Sequence, residues 1–397
     1  MTFRPLNVLC SATSTGVRVC AVLALIGLGL LTCGCNPPGN PAASSEILIG
    51  QYGSLSGPEA TFGESTDNGI KLAVDELNAA GGIGGKKVRL ITYDDKGDAR
   101  EAGTAVTRLV TKDRVSAVIG EVASGLSLAG APVCQENGVV MVSPSSTNPK
   151  VTKVGDKIFR VCFIDPFQGS VCAKFAREHE GLKASKAAIL TDQSSPYSVG
   201  LQDEFEKAFT AAGGTIVTKQ TYQAGDQDYS AQLTAIRGAE PEVLFVPGYY
   251  TDVGNIALQA RKLELKMPLL GGDGWDSVKL GEIAGSAIDG SFYSNHYSQE
   301  DPNPKVQEFI KKYKAKYNEV PDAMAILGYD AMRVTADAIQ RAGKADPKAI
   351  RDALAATKDF PGASGKITMD ANRNARKPIV VLRINGGKTE LVDSLMP

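Results

Sequence analysis

The sequence predicts an α/β protein of two doubly wound lobes, each a parallel sheet with helices on both faces. Two observations carry this. Val- and Ile-rich segments alternate along the body with stretches whose apolar residues recur at helical spacing. The same order of segments then runs twice, matching positions lying about 130 residues apart.

In the first half, 47–52 reads as a strand, followed by a Gly/Ser loop over 53–62. A helix over 64–79 carries Ile70, Ala73, Val74 and Leu77 on one face, and Gly81-Gly82 ends it. Strand 87–93, helix 98–112, strand 115–119, a short helix and strand 139–142 follow. In the second half, 187–191 is a strand and Leu201, Phe205, Ala208 and Phe209 mark a helix face. Ala211-Ala212-Gly213-Gly214 then echoes Ala79-Ala80-Gly81-Gly82. Strand 215–222, helix 228–239 and strands 243–246 and 268–270 complete the repeat. Beyond Asp289 lie the segment Asn295-His296-Tyr297, helices over 304–317 and 323–342, the turn Gly365-Lys366-Ile367-Thr368 and a strand over 378–384. Lys311, Lys312, Lys314 and Lys316 are spread around their helix, a pattern that solvates a helix and forms no phosphate site.

Ligands of doubly wound sheets bind outside the carboxyl ends of the strands. The loops there are 53–62, 120–127 and 143–147 in the first half and 192–197, 247–252 and 271–276 in the second. They are rich in Gly, hydroxyls and aromatics, which suits enclosure of a small polar ligand.

The composition excludes several classes. The 397 residues, 43% hydrophobic and 22% charged, suit about two soluble domains. A net charge of −1 lacks the basic surplus a nucleic-acid binder needs. The two histidines do not sit at metal-ligand spacing with Cys, Asp or His, and no G-x-S-x-G, G-x-G-x-x-G or phosphate loop occurs, so neither an enzyme nor a metal or nucleotide cofactor is expected. At the N-terminus, Arg4 and Arg18 precede the uncharged run 19–31, which is shorter than the roughly 20 residues a spanning helix needs. It reads as an export signal over 1–34, followed by a flexible tether over 35–45. Four of the seven cysteines fall in this region. The remaining three, Cys134, Cys162 and Cys172, leave open whether Cys162 and Cys172 pair.

The junction Leu30-Leu31-Thr32-Cys33-Gly34-Cys35 resembles a bacterial lipoprotein signal. Cys35, after Gly34, is the favoured lipidation site; Cys33 is the alternative, since Thr32 stands where the pattern usually has Leu before Cys35. The body carries Gly81-Gly82-Ile83-Gly84-Gly85, Ser143-Pro144-Ser145-Ser146-Thr147-Asn148-Pro149, Asp165-Pro166-Phe167-Gln168-Gly169, Pro247-Gly248-Tyr249-Tyr250, Gly271-Gly272-Asp273-Gly274-Trp275 and Gly328-Tyr329-Asp330. In that order and spacing they resemble the periplasmic leucine/isoleucine/valine-binding proteins of ATP-binding-cassette importers. The resemblance implies a type I periplasmic binding protein fold whose lobes, 46–163 with 298–371 and 164–297 with 372–397, are joined by a hinge of several crossings near Phe163, Tyr297 and Ala371. It further implies capture of a small amino acid for a membrane permease, a lipid-anchored extracytoplasmic location, or alternatively sensing of an amide or other small polar ligand on the same fold. Ser124, Ser145 and Thr147 match the positions that hold the ligand carboxylate, and Asp273 matches the acceptor of its ammonium, often Glu in the family. Phe62, Tyr197, Tyr249, Trp275 and Tyr329 match positions at or near the aromatic lining. Ala123 stands where some members carry a disulfide cysteine.

Overall fold

A computed structural model describes residues 46–395; the expected signal segment, the tether and Cys35 lie outside the described residues. The first half of the chain gives β1 (Glu46–Gly53), α1 (Ala60–Ala79), β2 (Lys87–Asp94), α2 (Ala99–Thr107), β3 (Ala117–Ile119), α3 (Ser124–Glu136), β4 (Val140–Ser143), α4 (Lys150–Lys153) and β5 (Ile158–Arg160). The helix expected over 98–112 is α2 continued by a π-helical turn, Arg108–Lys112. Asp98 caps α2, its carboxylate accepting from the backbone N–H groups of Arg100 and Glu101. The five strands form one parallel sheet in the order β2-β1-β3-β4-β5.

The second half repeats the plan with α5 (Asp165–Glu178), β6 (Lys186–Asp192), α6 (Pro196–Ala211), β7 (Thr215–Tyr222), α7 (Ser230–Gly238), β8 (Val243–Val246), α8 (Tyr250–Lys262), β9 (Leu269–Gly271), α9 (Val278–Ala284) and β10 (Phe292–Asn295). The chain then makes α10 (Pro304–Tyr317), α11 (Ala323–Ala342), α12 (Pro347–Ala355), a small hairpin of β11 (Phe360–Gly362) and β12 (Gly365–Ile367), and finally β13 (Ile379–Asn385) and β14 (Lys388–Leu395). The second sheet runs β14-β13-β10-β9-β8-β6-β7. Its β13 and β14 are antiparallel, so the expectation of a wholly parallel second sheet is corrected at that edge. The physical reason is the turn. Gly386 and Gly387, at φ 55° and 72°, close a two-residue hairpin, which can join only antiparallel strands.

Two cores on the faces of each sheet hold the lobes together. In the first lobe, α1, α11 and α12 cover one face through Ile70, Ile326, Ile339 and Leu354, while Val106, Leu109, Val118 and Met141 fill the other. In the second lobe, Leu190, Leu233, Leu244 and Ile256 pack on one face and Phe205, Phe209, Phe245 and Val381 on the other. Along the chain, core membership passes between lobes at Cys162–Phe163, between Tyr293 and Tyr297, and between Ala375 and Ile379. The third crossing therefore lies beyond the expected Ala371. Arg373 donates to Ile158 O and Thr152 O at 3.1 and 2.8 Å, Thr152 Oγ1 donates to Asn374 at 3.2 Å, and Met369 bridges Ala375, all within the first lobe. Cys134, Cys162 and Cys172 are buried and free, so Cys162 and Cys172 do not pair.

Candidate functional site

The two lobes face each other with the carboxyl ends of their strands and touch at several polar contacts. Asn148 Nδ2 donates to Pro196 O at 2.6 Å, Thr61 and Ser277 share a hydroxyl bond of 2.9 Å, and Thr251 Oγ1 donates to Pro58 O at 2.8 Å. Between them lies a small cavity of about 10 Å³, room for about one water, lined by Phe62, Val122, Ser124, Ser145, Thr147, Tyr197, Tyr249, Asp273, Gly274 and Met324.

The first-lobe wall is built from two loops. Ser124 opens α3, whose N-terminal end presents the positive pole of the helix dipole. After β4, the hydroxyls of 143–147 point in two directions. Ser143 Oγ donates to Glu121 O at 2.7 Å, and Ser146 Oγ bonds Glu121 O and Val122 O, both at 3.0 Å, and Ser127 Oγ at 2.7 Å. These lock the two loops together. The buried guanidinium of Arg160 braces the same loop from behind, donating to the carbonyls of Ser146 and Asn148. Among the described residues, Ser145 Oγ, buried on the cavity side, has no hydrogen-bond partner, and Thr147 Oγ1, buried beside it, makes none of bonding geometry although it stands near the Asp165 carboxyl. A buried hydroxyl without a partner carries an uncompensated desolvation cost of about 1–3 kcal/mol. Such cost is relieved when a bound group supplies the missing bond. No cation lines this wall, so an anion here would be met by hydroxyls and backbone N–H groups.

The second-lobe wall centres on Asp273, buried at 3% exposure. Its Oδ1 accepts from Gln168 Nε2 at 2.8 Å and from Tyr197 OH at 3.0 Å, and its Oδ2 lies 2.9 Å from His296 Nε2. Burial, with the nearby charge of Asp273, pushes the Tyr197 phenol well above its ordinary value, so it remains a donor. Burial lowers the His296 imidazole below the usual histidine value, against the opposing pull of Asp273. The rings of Tyr197 and Tyr249 stack at 5.2 Å, and Phe62 meets Tyr249 edge-on at 5.7 Å. Gly274 allows this: a Cβ there would sit 2.7 Å from Gly248 O and 2.9 and 3.1 Å from the rings of Tyr249 and Tyr197.

Seven of the nine residues singled out from sequence thus line one cavity: Phe62, Ser124, Ser145, Thr147, Tyr197, Tyr249 and Asp273. Trp275 and Tyr329 are corrected. Trp275 shares a 3₁₀ turn with Asp273, but its indole packs into the core, donating to Val246 O at 3.0 Å and stacking on Tyr293. Positions two apart in such a turn point in different directions. Tyr329 lies on α11 and donates to Glu76 Oε2 at 2.7 Å on another face of the first lobe. The α11 residue that reaches the cavity is Met324, about 140° round the helix from Tyr329. Sequence reasoning missed Met324, Val122, Gln168 and His296. Gln168 lies within Asp165-Pro166-Phe167-Gln168-Gly169, and His296 shows no metal-ligand spacing that would mark it in the sequence.

The sequence profile described as periplasmic binding protein matches residues 46–388. The Leu/Ile/Val-binding protein BraC3 of Rhizobium johnstonii is 34% identical over 330 residues, 83% of this chain and 88% of its own length. Among solved structures, a leucine-binding protein of Thermotoga maritima superposes with a TM-score of 0.85 at 39% identity, covering 88% of this chain and 99% of its own. A branched-chain amino acid transporter substrate-binding protein of Streptococcus pneumoniae, solved with isoleucine, gives 0.84 at 36% identity, covering 89% and 100%. With its two-lobe α/β architecture and its interlobe cavity, this chain belongs to the periplasmic binding protein family of extracytoplasmic solute-binding proteins, with the type I fold.

Proposed function

We propose that this protein captures a small aliphatic α-amino acid of the leucine, isoleucine and valine class between its lobes and delivers it to the permease of an ATP-binding-cassette importer. One observation carries the reading: a single cavity has partnerless hydroxyls, Ser145 and Thr147, on one wall and the carboxylate of Asp273 on the other. A zwitterion placed between them meets a donor set at its carboxylate and an acceptor at its ammonium, while Phe62, Val122, Met324 and Tyr249 supply apolar surface for a short side chain. Neither lobe alone satisfies both charges, so the ligand bridges them and favours the closed form. The family resemblance and the relatives' names support the ligand class, and the export-type N-terminus supports tethering through a lipid on Cys35.

Titration calorimetry of the purified protein with L-leucine, L-isoleucine and L-valine is the test, with leucinamide and 4-methylpentanoic acid as analogues lacking one charge. Asp273→Ala is expected to lose about 2 to 5 kcal/mol of binding free energy, the range for removing a buried charge partner. Retention of affinity within threefold would remove Asp273 from the ammonium site, and equal binding of 4-methylpentanoic acid would remove the ammonium requirement altogether. For tethering, Cys35→Ala is expected to move the protein from the membrane to the soluble fraction; an unlipidated mature N-terminus by mass spectrometry would refute the anchor.

A further inference from the structure

The acceptor proposed for the ligand ammonium is already held from behind, and one of its holders stands on the hinge. Asp273 Oδ2 is 2.9 Å from His296 Nε2, and both side chains are buried. His296 follows β10 directly, in the segment that crosses back to the first lobe, and its ring stacks at 3.9 Å on Phe163, which lies at the first crossing. An ionised carboxylate only accepts hydrogen bonds, so the imidazole proton sits on Nε2. Nδ1, on the far side of the ring, is buried and has no hydrogen-bond partner among the described residues.

That geometry bears on charge. Protonating His296 in the closed form places a second N–H on Nδ1 with no acceptor to receive it, a buried unpaired donor. It also sets a cation against Asp273 on the side opposite the incoming ammonium, where the two positive charges compete for one carboxylate. We propose that His296 is a positioning residue for amino-acid capture: as a neutral Nε2–H donor it fixes Asp273 for the ligand ammonium, and closure on the ligand expels any proton the open form holds on this imidazole. The proposal rests on Asp273 being the ammonium acceptor. The lowered pKa of His296 agrees in direction.

Several charged groups surround this imidazole. Asp273 and Asp276 face it from the turn after β9, and Lys377 faces it from the third crossing. Asp165 of α5 is pushed up to about 8, by burial first and also by the nearby charge of Asp273. Elsewhere in the cleft, Glu59, near Asp252 and Asp192, and Asp322, near Asp276, are each raised by burial to about 7, and they favour closure at low pH, the opposite sense. The contribution of His296 is therefore read as a difference between proteins that share all these carboxylates.

The test uses L-leucine as the probe with wild type and His296→Gln, whose side-chain amide retains a donor for Asp273 but does not titrate. Affinities are measured from about pH 8 to pH 5.5, a window in which histidine changes charge while the amino acid stays a zwitterion. With each protein's affinity referred to its own value at pH 8, the expected result is a wild-type affinity that falls relative to the variant by up to about tenfold per pH unit once the open form takes up its proton. Histidine-selective ¹⁵N NMR of wild type supplies a readout free of mutation, since the chain has only His179 and His296. One imidazole is expected to titrate without leucine and to stay a neutral Nε2–H tautomer with it. A flat affinity ratio with pH, or a His296 that titrates alike with and without leucine, would overturn the proposal. If wild type does not bind leucine saturably at pH 8, the amino-acid reading itself fails; if Asp273→Ala binds normally, the ammonium assignment fails.

Discussion

The hydroxyls of one short loop divide into those that hold the fold and those left without a partner. Ser146 Oγ is bonded to two carbonyls and to Ser127, whereas Ser145 Oγ has no partner in the same buried loop. The two neighbours are thus expected to answer oppositely to truncation. Ser146→Ala removes buried hydrogen bonds and leaves acceptors unpaired, so it is expected to cost about 1 to 3 kcal/mol of stability. Ser145→Ala removes a group with no native bond, so thermal denaturation is expected to shift little while affinity for L-leucine falls. A destabilised Ser145→Ala with normal affinity would assign that hydroxyl to the fold. Which serine took which role was not legible from composition, because Ser143-Pro144-Ser145-Ser146-Thr147 offers equivalent hydroxyls; the backbone path chose between them. The family resemblance had singled out Ser145 and Thr147.

At the scale of the element, close backbone approach shapes the second-lobe wall. The turn Asp273–Trp275 follows β9, so three consecutive residues go to different places: Asp273 to the cavity, Gly274 beneath the tyrosines and Trp275 to the core. Gly274→Ala would press a methyl against Gly248 O and the stacked rings of Tyr197 and Tyr249. Overpacking of this kind costs about 1 to 3 kcal/mol. Because Gly248 O is backbone, the turn must shift, and both stability and leucine affinity are expected to drop, measurable by denaturant titration and calorimetry. Affinity unchanged from wild type would mean the wall is softer than this packing implies. The periodicity that located strands and helices could not place Trp275 or Tyr329, since both sit beside motif residues whose neighbours in sequence face elsewhere in space.

Across the whole molecule, three chain crossings join two lobes whose facing surfaces meet through single hydrogen bonds, such as Asn148 to Pro196 and Thr251 to Pro58, and through an apolar patch in which Phe62, Val122 and Met324 of the first lobe pack against the second-lobe core beside Tyr249 and Tyr250. On opening, each hydrogen bond is exchanged for one with water at a net cost of about 0.5 to 1.5 kcal/mol, while the apolar patch around Phe62 favours the closed form. The cavity, at about 10 Å³, is too small to admit an amino acid without lobe separation. Small-angle X-ray scattering is expected to show a smaller radius of gyration with saturating L-leucine than without it, and an unchanged profile would favour a rigid pocket.

The sequence by itself determined the α/β class, the internal repeat and the strand-end loops that hold the site, because alternation, helical spacing and glycine punctuation are local properties of the chain. Local pattern located the loops that carry Ser124, Ser145, Thr147, Tyr197, Tyr249 and Asp273, while only the family resemblance singled out those residues within them. Tertiary structure decided what no local pattern encodes: the antiparallel β13–β14 edge, the third crossing beyond Ala375, and the burial of Trp275 and Tyr329 away from the cavity. It also brought together groups far apart in sequence. Gln168, Tyr197 and His296 converge on Asp273 from separate elements, and the three-dimensional packing of two lobes and a hinge sets that convergence.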